Sequence, residues 1–204
     1  MEMSGDLIVP DTAAGVVVFV HGSGSSRLSP RNRFVAGALN EAGLGTLLFD
    51  LLTPDEEADR ANVFDIGLLS ERLLERTEWV RQQPEAKGLP IGYFGASTGA
   101  AAALWAAAEP GNDVAAIVSR GGRPDLAGPR LAAVRAPTLL IVGGRDPIVL
   151  DLNEEAQRRL RADNRLTVVP GATHLFEEPG ALEAVAGHAR DWFTTHFTAV
   201  RHPA

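Results

Sequence analysis

Short apolar runs, many of them β-branched, alternate with longer amphipathic stretches along almost the whole chain. The runs are residues 7–9, 16–20, 46–52, 91–94, 114–118, 138–142 and 166–169. Most are apolar at every position, not at every second one, as expected of parallel strands covered by helices on both faces. Between them, residues 32–41, 67–83, 98–108, 150–161 and 181–195 carry helical patterns. In the second of these, Leu68, Leu69, Leu73 and Trp79 are expected on one stripe, opposite Arg72, Arg76 and Glu78. Alternating strands and helices with right-handed crossovers predict a doubly wound, mostly parallel α/β sheet. No repeat, linker or low-complexity tract interrupts the pattern, so residues 1–204 read as a single domain. Only residues 54–65 are acidic and irregular, and they read as a surface loop.

Composition narrows the function classes. Hydrophobic residues are 45% and charged residues 22%, which suits an ordinary globular chain with one large core. With 19 Lys and Arg against 26 Asp and Glu, the net charge is −7, and there is no basic run. Nucleic acid and anionic membranes are therefore poor partners. Cysteine is absent, which excludes disulfides, Cys-ligated zinc, iron–sulfur clusters and a thiol nucleophile. The N-terminal stretch lacks the order of a secretory signal, and the apolar residues 100–108 are too few to span a bilayer. A cytoplasmic location is the expectation.

Ligands of such sheets bind beyond the carboxyl ends of the strands, so the residues after each strand are the candidates. After residues 91–94 comes Gly95-Ala96-Ser97-Thr98-Gly99 and then an alanine-rich helix. This is G-x-S-x-G, a strand-to-helix turn that exposes a strained serine, with glycines where a Cβ would collide. The helix start directs its N–H groups at the site, favouring an oxyanion. A serine there could also simply cap the helix. Ser97 is the candidate nucleophile.

A serine needs a base and an orienting acid. His188, His196 and His202 fall in or beyond the last helix, whereas His21 and His174 each follow a strand. The order nucleophile, acid, histidine on this kind of sheet selects His174, because His21 precedes the serine. Asp146, in Gly143-Gly144-Arg145-Asp146-Pro147, stands at a strand's carboxyl end between the two. Asp125 lies in a Pro-flanked loop; Asp151, Asp163, Asp113 and Asp50 are placed less favourably. An oxyanion hole needs the N–H after the nucleophile and one from the loop after residues 16–20. These are Thr98 and, within His21-Gly22-Ser23-Gly24, Ser23. Arg27 stands where a dinucleotide fingerprint needs its third glycine, and neither G-K-[ST] nor H-E-x-x-H occurs.

His21-Gly22-Ser23-Gly24, Gly95-Ala96-Ser97-Thr98-Gly99, Gly144-Arg145-Asp146 and Gly171-Ala172-Thr173-His174 together make the chain resemble a small α/β-hydrolase of the dienelactone-hydrolase-like group. The resemblance runs over nearly the whole chain. Arg120-Gly121-Gly122-Arg123-Pro124-Asp125-Leu126 is similar to a bacterial subset that also occurs fused to phosphoribosyltransferase domains. Dienelactone hydrolases proper use cysteine as nucleophile, where this chain has Ser97. The resemblance implies an α/β-hydrolase fold and a serine hydrolase cleaving a small ester, lactone or related acyl substrate. No cofactor or metal is implied. An acyltransferase or thioesterase on the same site, and a non-catalytic binding module, are the competing readings.

Two further expectations follow from placement. Only residues 119–137 separate two strands where such folds often insert a cap, so no large cap domain is expected and the pocket should be open and shallow. Arg120 and Arg123 follow a strand at the same sheet edge, which makes them candidates to bind an anionic group on the substrate. Arg123 could instead pair with Asp125.

Overall fold

The computed structural model describes residues 4–201. Seven strands form one sheet: β1 Gly5–Ile8, β2 Val16–Val20, β3 Gly45–Phe49, β4 Ile91–Ala96, β5 Ala116–Arg120, β6 Thr138–Gly143 and β7 Asn164–Val169. Their spatial order is β1-β3-β2-β4-β5-β6-β7, with β1 antiparallel and the rest parallel. The helices are α1 Pro30–Glu41, α2 Pro54–Glu57, α3 Arg60–Val63, α4 Ile66–Gln82, α5 Thr98–Ala107, α6 Pro147–Arg159 and α7 Ala181–Arg201. Residues 124–133 form tight 3₁₀ turns instead of a cap.

The continuous apolar runs sort onto two faces by the period of the strand. Val16, Val18, Val20 and Tyr93 join Leu69 and Leu73 of α4 and the alanines of α5 in one core. Val17, Phe19 and Phe94 join Val35 and Leu39 of α1 and Phe193 and Phe197 of α7 in the other. Helices cover both faces of the sheet, which explains why the runs do not alternate.

Three details differ from the sequence reading. Strand β5 runs two residues further than the pattern indicated, so Arg120 is its last residue and not part of the following loop. Residues 54–65 are not an irregular loop but two single-turn helices. Thr53 and Glu56 make a reciprocal capping box, and Asp59 and Asp65 cap the starts of α3 and α4. Trp79 is exposed at 38%, and Thr77, fully buried, takes the inner position on α4.

Thr77 is inside because it belongs to a polar network. Its hydroxyl donates to the Leu73 carbonyl at 2.8 Å and lies 2.6 Å from the Tyr93 hydroxyl. Its one hydrogen being used, the Tyr93 hydroxyl donates to Thr77 and accepts from Asn112 Nδ2 at 3.0 Å. Burial pushes the Tyr93 phenol above its ordinary pKa, which keeps this donor in place. Tyr93→Phe leaves two buried groups short of a partner, at a cost of about 1–2 kcal/mol. A melting temperature lower by roughly 2–8 °C, with unchanged far-UV circular dichroism, is the expected result.

Candidate active site

Strand β4 delivers Ser97 into the turn before α5 with φ 52° and ψ −123°. A non-glycine backbone in that region costs on the order of 1–3 kcal/mol and persists only where its surroundings dictate it. Here they do. The Ser97 N–H donates to the Arg120 carbonyl at 3.3 Å, and the Ser97 carbonyl accepts from Ala100 and Arg123, each at 3.1 Å. A Cβ on Gly95 would stand 2.4 Å from Ala100 Cα, and one on Gly99 would stand 2.1 Å from the Val20 carbonyl oxygen. Both glycines of the motif are thus required by close approach. Ser97 occupies the N-cap position of α5, yet its side chain makes no capping hydrogen bond. The hydroxyl is half-buried and stays available.

Asp146 repeats this arrangement at the next strand but one. It is the N-cap residue of α6 and does not cap that helix either. Its Oδ2 lies 2.7 Å from His174 Nδ1 instead. The two loops that carry the pair are joined through their backbones: Gly144 N–H donates to the Val169 carbonyl and Arg145 N–H to the Ala172 carbonyl, both at 2.9 Å. Thr173 donates from its backbone and hydroxyl to Glu178, holding that carboxyl below its ordinary pKa and bracing the histidine loop. His174 keeps 41% of its side chain exposed, against 15% for Asp146. No hydrogen bond joins Ser97 to the His174 ring in this structure.

His21 is excluded as the base by its partners. Its Nδ1 lies 3.0 Å from the Gly22 carbonyl, and its Nε2 accepts from the Leu51 N–H at 3.1 Å. Both ring nitrogens are committed to the neutral Nδ1–H tautomer, and the ring is 6% exposed. It fixes the loop that follows β2. His188 is exposed, and His196 stacks on Trp192, where burial lowers its pKa. His202 lies outside the described residues.

The expected oxyanion donors differ from one another. Thr98 N–H starts α5 and makes no backbone hydrogen bond of its own. Ser23 N–H is already engaged by Thr98 Oγ1 at 2.9 Å, so it is not a free donor. Sequence reasoning missed this contact because it joins residues 75 positions apart. Loop and elbow are in close contact: a Cβ on Gly22 would lie 3.0 Å from Ser97 Cβ.

The two arginines also separate. Arg123 makes a two-pronged pair with Asp125 at 2.9 and 2.8 Å, which raises its pKa and ties up both partners. The expectation that it faces a substrate anion is corrected: it closes its own loop. Asp125 is thereby removed as a candidate acid. Arg120 is buried against Asn32 and Phe176 and has no carboxylate partner among the described residues.

A cleft of about 830 Å³ opens beside the loop 21–26. Its walls include Leu28, Arg31, Leu51, Glu57, Val63 and Phe64. The cleft is open, as the short connection after β5 led one to expect, and it adjoins the elbow through Gly22. The cover missing after β5 is supplied by α2 and α3, from the stretch read as a loop.

These features define the class: an α/β-hydrolase fold with a serine elbow and a His–Asp pair at one sheet edge. The model of the dienelactone hydrolase family matches residues 4–200, and the chain belongs to that family. It is similar to the crystal structure of dienelactone hydrolase from Anabaena variabilis, with 55% identity and a TM-score of 0.93 over 96% of this chain and 93% of that one. Est1E from Butyrivibrio proteoclasticus shares the fold at 15% identity, TM-score 0.79, over 96% of this chain and 95% of its own. A Mycobacterium tuberculosis protein named "Putative phosphoribosyl transferase Rv0571c" is 64% identical over 196 residues, 96% of this chain and 44% of that protein. The chain thus spans less than half the length of this relative.

Thr98→Val removes the acceptor that holds Ser23, whereas Thr98→Ser retains it. Turnover of a short activated ester should fall about ten-fold or more in the valine variant, mainly in kcat, and stay within roughly three-fold in the serine variant. A rise in kcat for the valine variant would show instead that the hydroxyl competes with the oxyanion for Ser23.

Proposed function

We propose that the protein is a serine hydrolase acting on a small ester, lactone or related acyl compound. The observation that carries this reading is the strained, uncapped Ser97 at one strand end with an oriented His174–Asp146 pair at the same edge. In the proposed reaction Ser97 Oγ attacks the acyl carbonyl as its proton passes to His174 Nε2. Asp146 holds Nδ1–H, which presents the unprotonated Nε2 to the serine and stabilises the imidazolium that forms. Thr98 N–H and the dipole of α5 stabilise the oxyanion, and the Thr98 hydroxyl, by holding Ser23 N–H, keeps the neighbouring loop in place beside it. The alcohol leaves with the proton from His174, and a water activated by the same ring hydrolyses the acyl-enzyme.

The missing cysteine bears on substrate, not on fold. A hydroxyl with an ordinary high pKa depends on its base at the moment of attack. Ester or lactone chemistry through a serine therefore fits these residues. The transferase in the name of the mycobacterial relative belongs to a chain more than twice as long, and the site described above carries no part of that name. The cleft along α2 and α3 is the place for the acyl or leaving group, since Gly22, which lies against Ser97, forms part of its wall. No cofactor is needed by these steps, and the partner is a small acyl molecule in a cytoplasmic setting.

Ser97→Ala should bring hydrolysis of a short activated ester close to zero with an unchanged melting temperature. Asp146→Asn should lower kcat by about 10⁴-fold, because the amide favours the wrong histidine tautomer. Steady-state kinetics on the purified variants provide the check, and near-wild-type turnover in Ser97→Ala would remove the hydrolase assignment.

A further inference from the structure

Among the described residues, Arg120 is a cation without a counter-charge. It ends β5 on the face covered by α1 and α7 and is 7% exposed. Its Nη2 donates to the neutral Asn32 Oδ1 at 3.3 Å, its Nε is buried without an acceptor, and its guanidinium lies 5.9 Å from the Phe176 ring centre. Burial lowers its pKa to about 10, and the neighbouring Arg31 pushes the same way. It therefore remains charged at neutral pH. A buried, unpaired cation is strongly unfavourable, so an opposite charge arriving from outside would stabilise it.

The surroundings add positive potential. Asn32 is the third residue of α1, directly after Arg31, so the first turn of that helix brings the second guanidinium beside the first. Arg31 stands on the wall of the 830 Å³ cleft. Its carboxylate partner, Glu177 at 3.5 Å, is 64% exposed, so that pair is a weak surface one. A Cβ on Gly121, the next residue, would lie 3.5 Å from the His174 ring, so the cluster adjoins the catalytic pair.

We infer that Arg120 and Arg31 form a seat for one external oxyanion, a phosphate or carboxylate group. Two guanidinium groups present planar, charge-assisted donors suited to such a group. The ion enters from the cleft side, past Arg31, and supplies the charge that Arg120 lacks. It is either part of the acyl molecule in the cleft or a separate small ion. Only the second of these depends in no way on the hydrolase reading.

Thermal melts test the site without reference to catalysis. Wild type, Arg120→Met and Arg31→Gln are titrated with inorganic phosphate and with acetate in Tris chloride. The wild type should show a saturable rise in melting temperature with at least one of them. Arg120→Met should show none, and Arg31→Gln should bind at least ten-fold more weakly. Without added anion, Arg120→Met should melt at or above wild type, because an unpaired buried charge has been replaced by an apolar chain. A flat wild-type titration overturns the site, as does an equal rise in all three proteins, which means an adventitious ion only. A melt of Arg120→Met below wild type in the absence of added anion marks Arg120 as structural and also overturns it. Should Arg120→Met fail to fold, the surface variant Arg31→Gln decides alone. A second arm compares kcat/KM for an anionic and a neutral ester of matched size. A ratio lowered ten-fold or more in Arg31→Gln places the anion on the substrate; an unchanged ratio with anion binding intact in wild type places it as a separate ion. If no ester is turned over by the wild type, the hydrolase reading fails while the melts still decide the site.

Discussion

A serine held at φ 52° between a buried strand and a buried helix is the constraint on which the rest of this structure depends. The conformation is unfavourable for any side chain, and it persists because three backbone hydrogen bonds and two close approaches leave no alternative. Those approaches in turn require glycine at positions 95 and 99, the loop of His21 packed against the elbow, and β5 beside β4. The central strands are apolar on both faces, so two cores clamp the sheet that carries the strain. Strain at one residue is thus balanced by packing spread over the whole domain.

Ser97 and Asp146 share a second property. Each stands where a helix begins, and each is a residue type well suited to capping that helix. Neither does so. Their polar atoms are left for each other's neighbourhood, Asp146 bonding His174 and Ser97 remaining open. Elsewhere in the chain, Ser29, Thr53, Asp59 and Asp65 do cap their helices. The contrast sets Ser97 and Asp146 apart from the capping residues more clearly than residue type does. His21 belongs with the structural set, since both its nitrogens hold a loop.

Much of this was legible in the chain, and for physical reasons. Continuous apolar runs report burial on two faces, and G-x-S-x-G reports a turn that only glycines permit, so the sheet and Ser97 could be read directly. The pairing of His174 with Asp146 followed from strand-end placement and chain order. What could not be read depends on contacts between distant positions. The Thr98 hydroxyl on Ser23, the neutral amide of Asn32 beside Arg120, and the burial of Thr77 in place of Trp79 are all tertiary. Local signals were also missed. Thr53-Pro54-Asp55-Glu56 is a capping box with proline at the first helical position, and it marked a helix where composition suggested a loop. Helices of one turn have no periodicity to detect, so the wall of the cleft went unseen.

The central claim is that Ser97 is a nucleophile activated by the pair behind it. Intact-mass spectrometry after treatment with a small fluorophosphonate, followed by peptide mapping, tests this most directly, because only an activated serine reacts quickly with such a reagent. The account predicts one adduct per chain, located on Ser97, absent from Ser97→Ala and greatly slowed in His174→Ala. No adduct, or one on another serine that forms equally fast in His174→Ala, would contradict it.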